Sequence, residues 1–296
     1  MKILVSGLLN TETTVAVNGF PINYYPIDYP FFGVNSAPSG VAYNIALAMH
    51  ALGDNVKLAS MVGSDFAADY IKSSIRKTGI STELIKTSLS DTPSSVVLYD
   101  REGKRQIYCD LKDIQERKYG FDSTILDDVD IVVATNINFN RELVSIAKDH
   151  GKKIATDVHV LSNVCDEYNR DFMASADILF LSDEAIGNDY REFIFSLANI
   201  YHNEIIVLGR GSRGAAIYTK DSDTVTDLPA YTDVRVVNTV GAGDALFSSF
   251  LHFYRKGYLP IDALYRAEIF AAMKIRENGA SRGFVSESEV EKIVSG

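Results

Sequence analysis

Between Asn238 and Asp244 the chain reads Asn-Thr-Val-Gly-Ala-Gly-Asp, and an apolar helical pattern (Ala245, Phe247, Phe250, Leu251) follows at once. Gly241 and Gly243 flank one small residue, Ala242. Small residues at a helix start let backbone N–H groups approach a phosphate closely, and the helix dipole favours negative charge there. Asp244, in that first turn, stands within reach of whatever attacks the phosphate. The same string also reads as a plain glycine turn with an acidic helix start, because such residues cap helices for structural reasons alone. The local string leaves both readings open, and the rest of the chain decides between them.

Other candidate chemistry is sparse. Gly209-Arg-Gly-Ser-Arg-Gly214 matches G-x-G-x-x-G after a strand, but that fingerprint must open a helix. Here the strand-like run Ala215-Ala-Ile-Tyr-Thr219 follows, so the segment reads as a glycine-rich turn between strands. It still has the chance to meet nucleotide phosphates through Ser212. His50, His150, His159, His202 and His252 show no metal-ligand spacing and read as surface or helix residues. Asp157-Val-His159 ends a strand, where a ligand site is conceivable, and Asp127, Asp128 and Asp130 read as a solvated turn. Neither a nucleophile elbow nor a P-loop lysine motif occurs. Cys109 and Cys165 lack paired spacing, which excludes a disulfide framework or zinc cluster and suits a reducing cytosol.

The elements that must position these residues alternate. Lys2–Ser6, Val56–Met61, Asp130–Ala134, Lys153–Thr156, Ile178–Leu181 and Ile205–Leu208 read as buried strands. Val41–Leu52, Phe66–Thr78, Arg141–His150 and Arg191–His202 read as helices by i, i+3, i+4 spacing. Gly53, Gly79 and Gly151 stand where left-handed caps are expected. Such alternation predicts a mostly parallel sheet covered on both faces, with ligands at the carboxyl ends of its strands. Two stretches break the pattern. Thr11–Phe32 is rich in Tyr, Pro, Asn and Thr without helical period, and Thr92–Asp110 reads as a hairpin of Ser94–Tyr99, a turn at Asp100–Gly103, and Arg105–Asp110. Paired together, they would form a small sheet over the strand ends, acting as a lid.

At 296 residues, with 46% hydrophobic and 23% charged residues, the composition is that of a globular protein able to bury a sizeable core. A net charge of −10 argues against nucleic acid as the main partner. The apolar start from Met1 breaks at Asn10, too short for a signal sequence, and no run approaches ~18 apolar residues, so neither secretion nor a membrane span is expected. A cytoplasmic location is the expectation.

Taken together, the chain resembles the ribokinase-like (PfkB) carbohydrate kinases along nearly its whole length. Asn238–Asp244 is similar to that family's D-T-x-G-A-G-D, and Ser39-Gly-Val-Ala-Tyr-Asn44 to its N-terminal G-G-x-x-x-N. Gly7-Leu-Leu-Asn10-Thr-Glu12, Leu208–Gly214 and Glu277-Asn-Gly-Ala280 add supporting matches in the expected order. The resemblance implies a single domain over residues 1–296, a three-layer α/β/α sandwich with a mostly parallel central sheet and a lid from about 11–36 and 92–112. It implies transfer of the ATP γ-phosphoryl group to a hydroxyl of a sugar or sugar-like substrate. Asp244 would be the general base, with Gly241 and the amides of Ala242, Gly243 and Asp244 forming the anion hole. Asn10, Glu12, Gly40 and Asn44 would contact substrate. Ser212, Gly214, Thr239, Asn278 and Gly279 would line the nucleotide side, and magnesium would bridge the phosphates.

Four departures qualify these implications. Asn238 replaces the leading Asp, at a position that often helps hold a monovalent cation, which leaves potassium activation open. Ser39 replaces the first glycine of the N-terminal pair, and Glu12 replaces an Asp. The N-x-x-E magnesium motif falls around Leu181–Ala185 without its Asn, so Asp183 or Glu184 would act through water. A nucleoside kinase, with Tyr24, Tyr25, Tyr29, Phe31 and Phe32 forming a slot for a base, is the alternative substrate class. A catalytically silent ligand-binding relative is the other alternative. The apolar β content of residues 11–32 and 94–110 predicts a homodimer through the lid.

Overall fold

Strands here are made from runs apolar on both sides. In the computed structural model, which describes residues 2–102 and 104–296, all four residues of Ile131–Ala134 are buried. In Lys2–Ser6, Ile3 and Val5 face one core while Leu4 faces the other, as the two-residue period of a strand dictates. Along the chain come β1 (Lys2–Ser6), β2 (Asn10–Ala16), β3 (Val34–Ser39), α1 (Val41–Ala51), β4 (Asn55–Val62), α2 (Phe66–Thr78), β5 (Ile85–Thr87), β6 (Ser94–Tyr99), β7 (Arg105–Asp110), β8 (Ile131–Ala134) and α3 (Asn140–Asp149). They are followed by β9 (Lys153–Val160), α4 (Arg170–Ser175), β10 (Ile178–Ser182), α5 (Tyr190–Tyr201), β11 (Ile205–Gly209), β12 (Ala215–Thr219), β13 (Thr224–Leu228), α6 (Ala242–Arg255), α7 (Pro260–Lys274) and α8 (Glu287–Ser295).

The central sheet has nine strands in the order β13-β12-β11-β10-β9-β8-β1-β4-β5. Seven run parallel from β11 to β5, and β12 and β13 extend one edge antiparallel. Ile45 of α1, Ile71 of α2, Phe247 of α6, Phe270 of α7 and Val290 of α8 pack into the core on one face. Leu143 of α3, Phe172 of α4 and Leu197 of α5 pack into the core on the other. This is the expected three-layer sandwich.

Local signals set the helix limits. Gly53, Gly79 and Gly151 all have positive φ, at 92°, 91° and 62°, conformations that cost other residues strain. Asp65 caps α2 by accepting the Ala68 N–H at 2.9 Å, and Ser286 with Glu289 forms a capping box at α8. Strand β9 runs four residues beyond the expected Thr156, because its register with β10 continues past Asp157 to Val160 through an irregularity.

The two excursions do pair. A separate four-stranded sheet has the order β3-β2-β6-β7, with β2 parallel to β6 from Thr11↔Ser94 to Ala16↔Tyr99. Strands β6 and β7 form the predicted hairpin. Gly103 of the predicted turn lies outside the described residues, as does Met1. No described helix is long and apolar enough to cross a membrane.

Candidate active site

Helix α6 begins where its sequence requires it. Gly241 adopts φ 79°, and a Cβ there would lie 2.5 Å from the Ala280 carbonyl oxygen, so no side chain fits. The Ala242 N–H turns back onto the Thr239 carbonyl at 3.1 Å. That leaves the amides of Gly243 and Asp244, which have no intrahelical acceptor, at the positive end of the helix. Of the three amides expected to form an anion hole, one is therefore committed to the turn itself.

The Asp244 carboxylate accepts a hydrogen bond from Asn44 Nδ2 at 2.7 Å. A carboxylate can only accept, so the Asn44 amide nitrogen must face it and Oδ1 must point away. Asn44 is held one turn into α1, its N–H bonded to the Gly40 carbonyl at 2.9 Å. Gly40, at φ 111°, packs so tightly that a Cβ would sit 2.4 Å from the Leu8 carbonyl. Burial pushes the Asp244 carboxyl up to about 6, and Asp157 adds to the rise; His159, the Asn44 hydrogen bond and Lys274 oppose it. A carboxyl poised there is ionised at neutral pH yet basic enough to take a proton.

On the substrate side, Asn10 opens β2 and donates through Nδ2 to Ser95 Oγ of β6 at 2.9 Å. The Oδ1 atoms of Asn10 and Asn44 are both buried without a hydrogen-bond partner among the described residues. Two of the departures in sequence meet here: Ser39 Oγ donates to Glu12 Oε2 at 3.3 Å. Burial raises the Glu12 carboxyl, against the lowering effects of Ser39, Lys274 and Arg105.

On the expected nucleotide side, Asn238 Nδ2 donates to Asn278 Oδ1 at 2.7 Å, while Asn238 Oδ1 accepts the Val240 N–H at 2.8 Å. Gly279, at φ 96°, follows in that loop, and Thr239 is exposed beside it. Ser212 lies exposed in the short turn Gly211–Arg213 between β11 and β12. A Cβ on neighbouring Gly209 would lie 3.8 Å from Leu246, which places this turn beside α6. Gly214 is required by packing, since a Cβ would meet the Leu228 carbonyl at 2.0 Å.

Asp183 is paired with Arg213 and lies 3.7 Å from Arg210 Nε. Glu184 reaches Arg105 of β7 at 3.6 Å. Among the described residues no group of three or more His, Cys, Asp or Glu is arranged to hold a metal. Two guanidinium groups on Asp183 do not suit a dedicated magnesium cage, which needs free carboxylate oxygens.

The Asp157–His159 pair noted in the sequence at a strand end also converges on the site, with two residues given no role there. Asp157 and His159 reach it from the end of β9, and both bear on Asp244. Their signal was a polar pair at the carboxyl end of a parallel strand, where sheets of this kind bind ligands. Arg105 from β7 faces Glu12 and Glu184. Lys274, the last residue of α7, is fully buried with its ammonium on the Val240 carbonyl. A lysine beside Ala271, Ala272 and Met273 was its only trace in sequence.

Comparison with known proteins bears on the chain's family and fold. The pfkB family of carbohydrate kinases matches residues 2–287. Ribokinase of Dictyostelium discoideum is 23% identical over 321 aligned positions, covering 98% of this chain and 99% of its own. The 5-dehydro-2-deoxygluconokinase of Clostridium perfringens is 21% identical, covering 88% of this chain and 84% of its own. Among solved structures, the microbiome-derived acarbose kinase Mak1 superimposes with a TM-score of 0.88 at 22% identity, covering 100% of this chain and 99% of its own. The likeness to that structure concerns the fold, and the match of residues 2–287 settles the family: this chain belongs to the pfkB carbohydrate kinases, phosphotransferases that act on a hydroxyl.

Proposed function

We propose that the protein transfers the γ-phosphoryl group of ATP to a hydroxyl of a sugar or sugar-like polyol. The observation that carries this reading is the Asp244 carboxylate, set in the first turn of α6 and held by Asn44 at 2.7 Å. As the substrate oxygen forms its bond to the γ-phosphorus and the bond to the β-phosphate oxygen breaks, Asp244 takes the hydroxyl proton. Charge building on the transferred group meets the amides of Gly243 and Asp244 at the helix head, and placement and electrostatics do most of the work.

The orphaned carbonyl oxygens of Asn10 and Asn44 support a polyhydroxylated acceptor. Each is a buried acceptor whose desolvation costs free energy until an O–H donor arrives. Glu12 supplies a further acceptor, and the small sheet serves as the lid excluding water. On this reading ATP lies along Ser212, Gly214, Thr239, Asn278 and Gly279. Magnesium would enter with the ATP phosphates and neutralise their charge, and the exposed Glu184 would be the carboxylate left to hold it through water, since Asp183 is taken up by Arg210 and Arg213.

The aromatic residues of the loop before β3 do not favour a nucleoside slot. Tyr24, Phe31 and Phe32 are 87%, 84% and 101% exposed, which supports the lid face of a second copy instead. ADP release with ATP and magnesium, measured against separate pools of sugars, sugar phosphates, polyols and nucleosides, tests the substrate class. Release from a sugar or polyol pool, with a phosphorylated product by mass spectrometry, is expected. Release confined to nucleosides would refute the sugar reading.

A further inference from the structure

The amide turn before α6 is strapped to the segment after α7. The N–H groups of Val237 and Asn238 both donate to the Ile275 carbonyl, at 2.9 and 3.1 Å. Gly241 packs on the Ala280 carbonyl. Lys274 adds a charged tie, its Nζ donating to the Val240 carbonyl, one residue before Gly241.

That lysine is hard to explain as packing. Its side chain is completely buried, and an ammonium withdrawn from water carries a large penalty. Methionine or leucine would fill the same space without it. The charge also stands close to the positive end of α6, where a helix disfavours cations. It meets a neutral carbonyl there, while the carboxylates of Asp244 and Glu12 act on it through their fields. Burial pulls the ammonium down to about 8 and those two carboxylates oppose the fall, so at neutral pH the charge is retained. Asn238 completes the picture: both ends of its amide are committed, to Val240 and Asn278. The turn thus holds a neutral amide and a fixed cation.

We propose that the Lys274 ammonium is a built-in monovalent cation under the anion-hole turn, holding the Val240 carbonyl so that the Gly243 and Asp244 amides face the transferred phosphoryl group. Lys274 is a positioning residue: it touches the turn, not the substrate. Turnover therefore needs no free monovalent cation. The consequence for turnover rests on the kinase reading above, whereas the consequence for cation binding does not.

The test compares potassium, sodium, methylammonium and tetramethylammonium chlorides at one ionic strength, read by ADP release and by thermal unfolding. The native chain is expected to show the same turnover within about twofold, and the same Tm, in all four. Lys274→Met keeps the packing and loses the charge. Its kcat should fall about 10²-fold, the scale of a misplaced catalytic group, with KM little changed and the acid limb of its pH profile moved upward. Lys274→Ala opens room for a cation. Potassium or methylammonium, but not tetramethylammonium, should restore its turnover at least about tenfold, a fraction of what one anion-hole donor contributes, and should raise its Tm.

A native chain activated by potassium overturns the proposal, as does a folded Lys274→Ala variant with no cation-selective change in Tm. If Lys274→Ala does not fold, the native salt series and the Lys274→Met pH profile decide. A native chain silent on every substrate pool counts against the kinase reading alone, because the Tm series still reports on the cation site.

Discussion

Replacing Asn44 by alanine removes the one side-chain donor to the Asp244 carboxylate among the described residues, at 2.7 Å, and should show first in the pH dependence of turnover. A hydrogen bond to a charged group is worth about 1.5–3 kcal/mol, and 1.36 kcal/mol corresponds to one pKa unit, so the loss raises Asp244 by roughly 1–2 units. Asp244 is partly open to solvent in the free protein, which favours the lower end of that range. The native carboxyl stands at about 6, and as a base it works only when ionised. Activity therefore falls as pH drops through about 6 in the native chain and through roughly 7–8 in the variant. At pH 6.5 the ionised fraction alone gives the variant a deficit of about 3-fold to about 25-fold, which vanishes above pH 9. The assay is kcat/KM between pH 5.5 and 9.5. A uniform loss with the acid limb unmoved would refute the idea that Asn44 tunes this carboxylate.

Two further expectations concern other parts of the fold. Glu268 is 7% exposed, and burial pushes its carboxyl up to about 7. A raised folded-state value means that the charged form destabilises the fold, so its penalty grows as pH rises from about 4.5 to 7. Glu268→Gln should accordingly stabilise the chain by roughly 1–3 kcal/mol at pH 8 and by little at pH 5; equal effects at both pH values in thermal melts would contradict this. The exposed faces of Phe31 and Phe32 and of strand β7 predict a dimer in sedimentation at micromolar concentration. Phe31→Ser with Phe32→Ser should yield monomer, and a native monomer would remove the lid interface from the account.

What the sequence revealed follows a physical division. The limits of β6 and β7 were legible to the residue, because strand-forming runs and a polar turn are local signals. So were the left-handed caps at Gly53, Gly79 and Gly151. The full extension of β9 to Val160 was not: the apolar run stops at Thr156, Asp157-Val-His159 showed only as a polar strand end, and the pairing that carries the strand through it is tertiary. The motif around Asp244 and the one around Asn44 were each visible, but their hydrogen bond spans 200 positions and only the fold makes it. Lys274 escaped because lysine on a helix is ordinarily a solvent residue. The meeting of Ser39 with Glu12 turned two apparent departures into one contact. Asp183 went the other way: its carboxylate looked available and is taken up by Arg210 and Arg213.

The central claim is that Asp244 is the base of a phosphoryl transfer to a hydroxyl. The most direct measurement is turnover of Asp244→Asn beside the native chain on the same substrate, with ATP binding followed by calorimetry. The account predicts a loss of about 10²–10⁴-fold in kcat, the range for a general base, with ATP affinity little changed. A variant that binds ATP and turns over at the native rate would contradict it.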